Sequence, residues 1–169
     1  MKTLRTIGVY GFDRDSFIGA LEAAEVDLLL DVRQRRGVRG SEYAWANAQR
    51  LQAALANAGI GYSHLKELAP TTEMRQLQYA EDAKAGEGKR NRTALAPAYV
   101  ERYTEEILDR VDLDPVVQWI GNSSAALFCV ERDPEACHRS LIAERLRQEH
   151  GFEVEHLRPA IARRLRPPE

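Results

Sequence analysis

The sequence predicts an α/β fold: a single-domain, doubly wound, mostly parallel five-stranded sheet with helices on both faces. Three observations lead there. Short apolar runs alternate with segments of helical period from the N-terminus onward. The run "VDLLLDVR" stays apolar until its end, as a parallel strand covered on both faces does. No internal repeat or shift of composition divides the 169 residues, a length that suits one domain with a real core.

The elements follow in order. "TIGVYG" is a short strand ending in glycine. "DRDSFIGALEAAEV" is a helix, because Asp13 or Asp15 can cap it and Phe17, Ala20, Leu21 and Ala24 share one face. "VDLLLDVR" is the second strand. "YAWANAQRLQAALANAG" places Trp45, Ala48, Leu51, Leu55 and Ala58 at helical spacing, with Gly59 closing the helix. "IGYSHL" is the third strand, so the chain to this point reads β-α-β-α-β with right-handed crossovers.

A short helix and a mobile basic loop at about residues 84–95 come next, carrying Lys84, Lys89, Arg90 and Arg92. Helical spacing returns through Val100, Tyr103, Ile107 and Val111, with Pro97 suited to the first turn. "VVQWIGN" reads as a helical turn or a bridge. "AALFCVE" is the fourth strand, "DPEACHRSLIAERLRQEHG" a helix and "FEVEHL" the fifth strand. A basic tail occupies about residues 158–169.

Composition bounds the function. Hydrophobic residues make up 44% and charged residues 30%, as in a folded globular chain. The 24 basic and 26 acidic side chains give a net charge of -2, which argues against a wholly basic nucleic-acid binder but leaves room for a local basic patch. Apolar runs such as Leu28-Leu29-Leu30 are far shorter than the ~20 residues of a membrane span, so no membrane partner is expected. The N-terminus lacks the pattern of a signal peptide, and two cysteines make no disulfide framework. A cytoplasmic protein with reduced thiols is expected, and the oligomeric state stays open.

Ligands of open parallel sheets bind at the carboxyl ends of the strands. Three strands here each deliver two functional groups to that edge: Asp31 and Arg33, Tyr62 and His64, Cys129 and Glu131. Into the same edge runs "FCVERDPEACHR". In it Asp133 is a natural N-cap, Pro134 a first helical residue, and Cys137, His138 and Arg139 fall near the first turn. Free backbone N–H groups with Arg139 make an anion-attracting corner.

Plainer readings stand beside this one. Cysteine is often a small buried hydrophobe, His138 can bond a carbonyl behind the helix, and Asp31 with Arg33 can be a structural ion pair. The setting of Cys137 near a helix start and Arg139 lowers a thiol pKa, while burial raises it. A metal is not expected. No C-x2-C or H-x3-H spacing is present, and neighbours on a helix point about 100° apart, which divides Cys137 from His138. "GEGKRNRT" lacks the spacing of a phosphate loop. No cofactor is expected.

With these residues in view, the order "TIGVYG", "LLLDVR", "YSHLKEL", "LFCVERDPEACHR" resembles the family catalogued as domain of unknown function 488, from about Thr6 to His156. The most specific element is the block formed by Cys129, Glu131, Cys137, His138 and Arg139. The resemblance implies a compact α/β domain with these groups at one edge and implies no particular reaction. The chain departs from the family where glycines usually follow the third strand, since Ala69 and Pro70 stand there, and its loop after "DVR" is richer in arginine.

Arg33, Arg35, Arg36, Arg39 and Arg139, with the Lys89–Arg92 loop, predict a positive rim and a phosphate-bearing partner, either a small molecule or nucleic acid. The first expectation is a small enzyme on such a substrate. Arg33 and Arg139, with Tyr62, would hold the anion, and Glu131 or Asp31 would act as base. His138 or His64 would act as acid, and Cys129 or Cys137 as nucleophile or structural thiol. The alternatives are a non-catalytic nucleic-acid-binding or adaptor domain, and a thiol redox or sulfur-transfer protein.

Overall fold

The computed structural model describes residues 2–88 and 92–160. Five strands form one sheet: β1 (Thr3–Ile7), β2 (Leu28–Asp31), β3 (Gly61–His64), β4 (Ala125–Phe128) and β5 (Glu153–His156). Their order is β3-β2-β4-β1-β5 and every pairing is parallel. All five carboxyl ends therefore lie along one edge.

Among the described residues six α-helices cover the sheet: α1 (Arg14–Ala23), α2 (Ala48–Asn57), α3 (Thr72–Lys84), α4 (Pro97–Tyr103), α5 (Asp114–Asn122) and α6 (His138–His150). Alternation in the strands divides the core in two. Ile7, Leu29, Ala126 and Phe128 face α1 and α2 through Phe17, Leu21, Leu51 and Leu55. Leu4, Leu30, Ala125 and Leu127 face the other helices through Met74, Tyr103, Ile120, Ile142 and Leu146. The fold is the expected α/β architecture with helices on both faces.

Asp13 caps α1 in a reciprocal box with Ser16, and Pro97 stands in the first turn of α4, both as their sequence signals direct. A wider π-turn over Thr104–Leu108 continues α4. "VVQWIGN" is part of a true helix, α5.

Local structure differs from expectation in four places. Trp45 does not share the α2 stripe: Ser41–Ala46 is a separate 3-10 turn, and Asn47 turns its side-chain oxygen to the Val38 N–H instead of capping α2. Asp133 does not cap a long helix. Pro134–Ala136 is a short 3-10 turn, Cys137 is extended at φ -137° and ψ 145°, and α6 begins at His138. Arg92, read as a loop charge, is buried in ion pairs with Asp82 and Glu131. Arg158, read as part of a basic tail, bonds Asp133 and Glu135. Lys89, Arg90 and tail residues 161–169 lie outside the described residues.

Candidate functional site

The three strand ends do meet at one edge, but the six side chains divide between the two faces of the sheet. The register decides this. Asp31 pairs with Phe128, so Asp31 shares the face of Phe128, and Cys129, one residue on, turns to the other.

On the α1–α2 face, Asp31 and Arg33 form a closed ion pair. Arg33 donates from Nη2 to Asp31 Oδ2 at 2.8 Å and from Nε to Oδ1 at 2.9 Å, and the two side chains are 1% and 0% exposed. Its Nη1 bonds the Ala46 carbonyl, and its guanidinium lies 4.6 Å over the Phe128 ring. The Tyr62 hydroxyl donates to Asp31 Oδ2 and accepts from Arg36, which is thereby drawn toward Tyr62. Burial pushes the Tyr62 phenol up. His64 Nε2 lies 2.8 Å from the Arg33 carbonyl oxygen, so that nitrogen carries the proton.

On the other face, Cys129, Glu131, Cys137 and His138 form the floor of a cleft of 840 Å³. β4 ends at Phe128, and Cys129 still bonds back to the Ile7 carbonyl through its N–H, which sets its side chain toward α6. The extended backbone at Cys137 then returns its thiol to the same place, directly ahead of His138. Cys129 Sγ stands 3.6 Å and Cys137 Sγ 3.7 Å from His138 Nδ1, and the three ligand-capable atoms lie within 4.8 Å of one another. The Cys129 thiol faces Glu131 Oε2 at 3.4 Å. His138 Nε2 sits 2.7 Å from the Val32 carbonyl oxygen, which assigns a proton to Nε2 and turns Nδ1 to the sulfurs. Its ring packs against Tyr103, 5.4 Å between centroids.

The divergence expected of Cys137 and His138 on a helix is absent, because Cys137 precedes the helix. The residues can converge on one ion after all.

The site is electrostatically asymmetric. Burial pushes both thiols up. At Cys137 a hydrogen bond from Cys129 and the positive charges of His138 and Arg139 outweigh burial and hold the thiol well below its ordinary range. Cys129, facing Cys137 and Glu131, is left well above it. Burial pushes His138 down, but Cys137 and the Val32 carbonyl outweigh that and raise it. A thiolate, an imidazole, a second thiol and a carboxylate in contact can serve as nucleophile and proton carrier, or as a ligand set for a cation.

Arg139 turns away from the cleft. It is fully buried, with Nη1 on the Glu131 carbonyl, Nη2 on the Arg132 carbonyl and Nε on Thr6 Oγ1. Among the described residues five arginines line the cleft: Arg33 and Arg92, held in buried ion pairs, Arg35 and Arg39, both exposed, and Arg75, with Tyr10, Tyr79 and Tyr99 among them.

Several contributors lie outside the set of candidate site residues. Gly8 touches the Glu131 backbone, where an added Cβ would stand 1.9 Å from the carbonyl oxygen. Arg92 bonds Asp82 Oδ2 and the Ala136 carbonyl and lies 3.6 Å from Glu131 Oε1. Gln78 joins Asp82 to the Ala96 N–H. The i,i+4 spacing of Gln78 with Asp82, and of Arg75 with Tyr79, was the signal in the sequence for those pairs.

No curated protein and no solved structure matches the chain. A family model does, over residues 13–146, a span that holds Asp31, Arg33, Tyr62, His64 and the whole Cys129–Arg139 block. The chain belongs to the family described as domain of unknown function DUF488.

Proposed function

We propose that the protein is an enzyme acting on a phosphate-bearing substrate, a nucleotide or a stretch of nucleic acid, bound in the cleft above Cys129, Glu131, Cys137 and His138. One observation carries the reading: four chemically competent side chains form the floor of a cleft whose mouth bears Arg35, Arg39 and Arg75. Arginines at the mouth attract and orient phosphate oxygens. Glu131 serves as proton acceptor, and the Cys137–His138 pair lies in contact with the reacting group. The anion is held by the rim, since Arg33 and Arg139 are committed to internal partners.

The test is binding and turnover together. Fluorescence anisotropy with labelled nucleotides and short single strands should show salt-sensitive binding that Arg35→Glu and Arg39→Glu each weaken about tenfold. Mass spectrometry of the ligand should show conversion that Glu131→Gln abolishes while binding persists. Binding without conversion would instead make the protein an adaptor, and neither would end the proposal.

A second reading, thiol redox or sulfur transfer, draws on the two sulfurs standing within one ligand sphere. It requires a Cys129–Cys137 disulfide that forms and reduces reversibly, which intact-mass measurement after oxidation and reduction would show as a loss and regain of two hydrogens.

A further inference from the structure

We infer that Cys129 Sγ, Cys137 Sγ and His138 Nδ1 form a tetrahedral-type site for a zinc-class divalent cation, with the fourth corner open to the cleft. The argument is geometric. With Zn–S of about 2.3 Å and Zn–N of about 2.05 Å at tetrahedral angles, a sulfur and a nitrogen on one ion stand about 3.6 Å apart. The two sulfurs lie 3.6 and 3.7 Å from Nδ1. The third edge, sulfur to sulfur, is no longer than 4.8 Å and needs about 3.8 Å, a closure within side-chain rotation.

The surroundings fit the same reading. A metal-bound histidine donates its other ring N–H to a carbonyl or carboxylate, which fixes the tautomer and the ring plane. His138 does this through Nε2 to Val32 at 2.7 Å, with Tyr103 against the ring. Two thiolates and an imidazole select a borderline-soft cation over magnesium or calcium, which take oxygen ligands. The ligands are almost fully buried, and binding sends any proton on the thiols or on His138 Nδ1 to solvent and leaves a 2+ ion against two thiolates and a neutral imidazole, with no net charge on the set.

Three protein ligands with a cleft-facing fourth position mark a catalytic site and not a closed structural one. Glu131 lies outside the ligand set yet lines the same cleft, 3.4 Å from Cys129 Sγ. In that position a carboxylate takes a proton from a metal-bound water. This use rests on the enzyme reading above; the metal site itself does not.

The chain contains just two cysteines, so a sulfur-to-metal signal can come from no other thiol. Reduced full-length protein, stripped with chelator, is titrated with Co2+ and followed by absorbance. One equivalent should give a near-ultraviolet thiolate-to-cobalt charge-transfer band with tetrahedral visible bands, and Zn2+ should erase both. Cys137→Ser and His138→Gln should each weaken binding by roughly a hundredfold. Should a variant misfold, the wild type supplies the second measurement: Zn2+ should slow alkylation of both Cys129 and Cys137 at least tenfold. Absence of the charge-transfer band, or alkylation that Zn2+ leaves unchanged, overturns the site. Neither readout depends on nucleotide binding or turnover, so a failed metal site leaves the enzyme reading to its own test, and the reverse holds.

Discussion

Arg139 Nη1 lies 2.7 Å from the carbonyl oxygen of Glu131, and the same guanidinium reaches Arg132 and Thr6, so one buried cation ties the start of α6 to the ends of β4 and β1. Arg139→Ala would leave those acceptors buried without donors. Charge-assisted hydrogen bonds of this kind are each worth about 1.5–3 kcal/mol. The variant should lose about 3 kcal/mol of stability, roughly 10 °C in Tm for a chain of this size. Arg139→Lys should rescue little, because one ammonium cannot span the three acceptors. Thermal melts decide it, and a variant as stable as the wild type would show that the clamp carries no weight.

Gly8 makes the complementary prediction from the other side of the Glu131 peptide. A methyl group at this position would meet the Glu131 carbonyl oxygen at 1.9 Å, and the obstacle is backbone, which cannot swing aside. Gly8→Ala should cost about 2 kcal/mol by overpacking and should also move Glu131 and Cys129. Faster alkylation of Cys129 in the folded variant is the expected sign. Unchanged alkylation together with an unchanged Tm would mean that the strand ends separate freely.

Much of this was legible in the chain, for physical reasons that also mark the limit. Apolar runs and caps are local, so the five strands and the cap at Asp13 could be read directly. The gathering of Asp31, His64 and Cys129 at one edge was legible too, since carboxyl-end position needs only the direction of the strands. Their division between faces was not. Whether Asp31 and Cys129 share a face depends on the β2–β4 register, and a one-residue offset between strands far apart in sequence reverses the answer. Proline at 134 signalled a helix start, but the turn it opens ends at Ala136, and the extended residue that follows brings Cys137 and His138 together. Arg92 carried no local sign of burial, because Glu131 comes from 39 positions away.

Asp31 and Arg33 predict a large penalty on the face away from the cysteines. With both side chains almost fully buried, Asp31→Ala leaves an uncompensated guanidinium in the core, a change that costs about 3–5 kcal/mol. Tyr62→Phe removes one donor from a partly exposed position and should cost about 1 kcal/mol. Urea denaturation should rank the variants in that order. If Tyr62→Phe proves the worse of the two, the Asp31–Arg33 pair is not what braces the strand ends.

His156 gives the pH prediction. Its Nδ1 lies 2.7 Å from Thr6 Oγ1, which already accepts from Arg139 Nε, so a protonated ring would set a second cationic donor against one hydroxyl. Burial, then the charges of Arg139 and Arg158, hold the His156 pKa below 6.5 despite the opposing charge of Glu135. A histidine depressed on folding binds its proton more readily in the unfolded chain, so stability must fall as pH drops below about 6.5 and go on falling until the folded pKa is passed. Above the unfolded value the penalty is absent. Wild type and His156→Gln should therefore differ in how much stability each loses between pH 7.5 and 5.5, with the wild type losing more. Comparing the two proteins cancels the contributions of the other titrating groups, His138 among them. Equal losses would place the acid sensitivity elsewhere in the molecule.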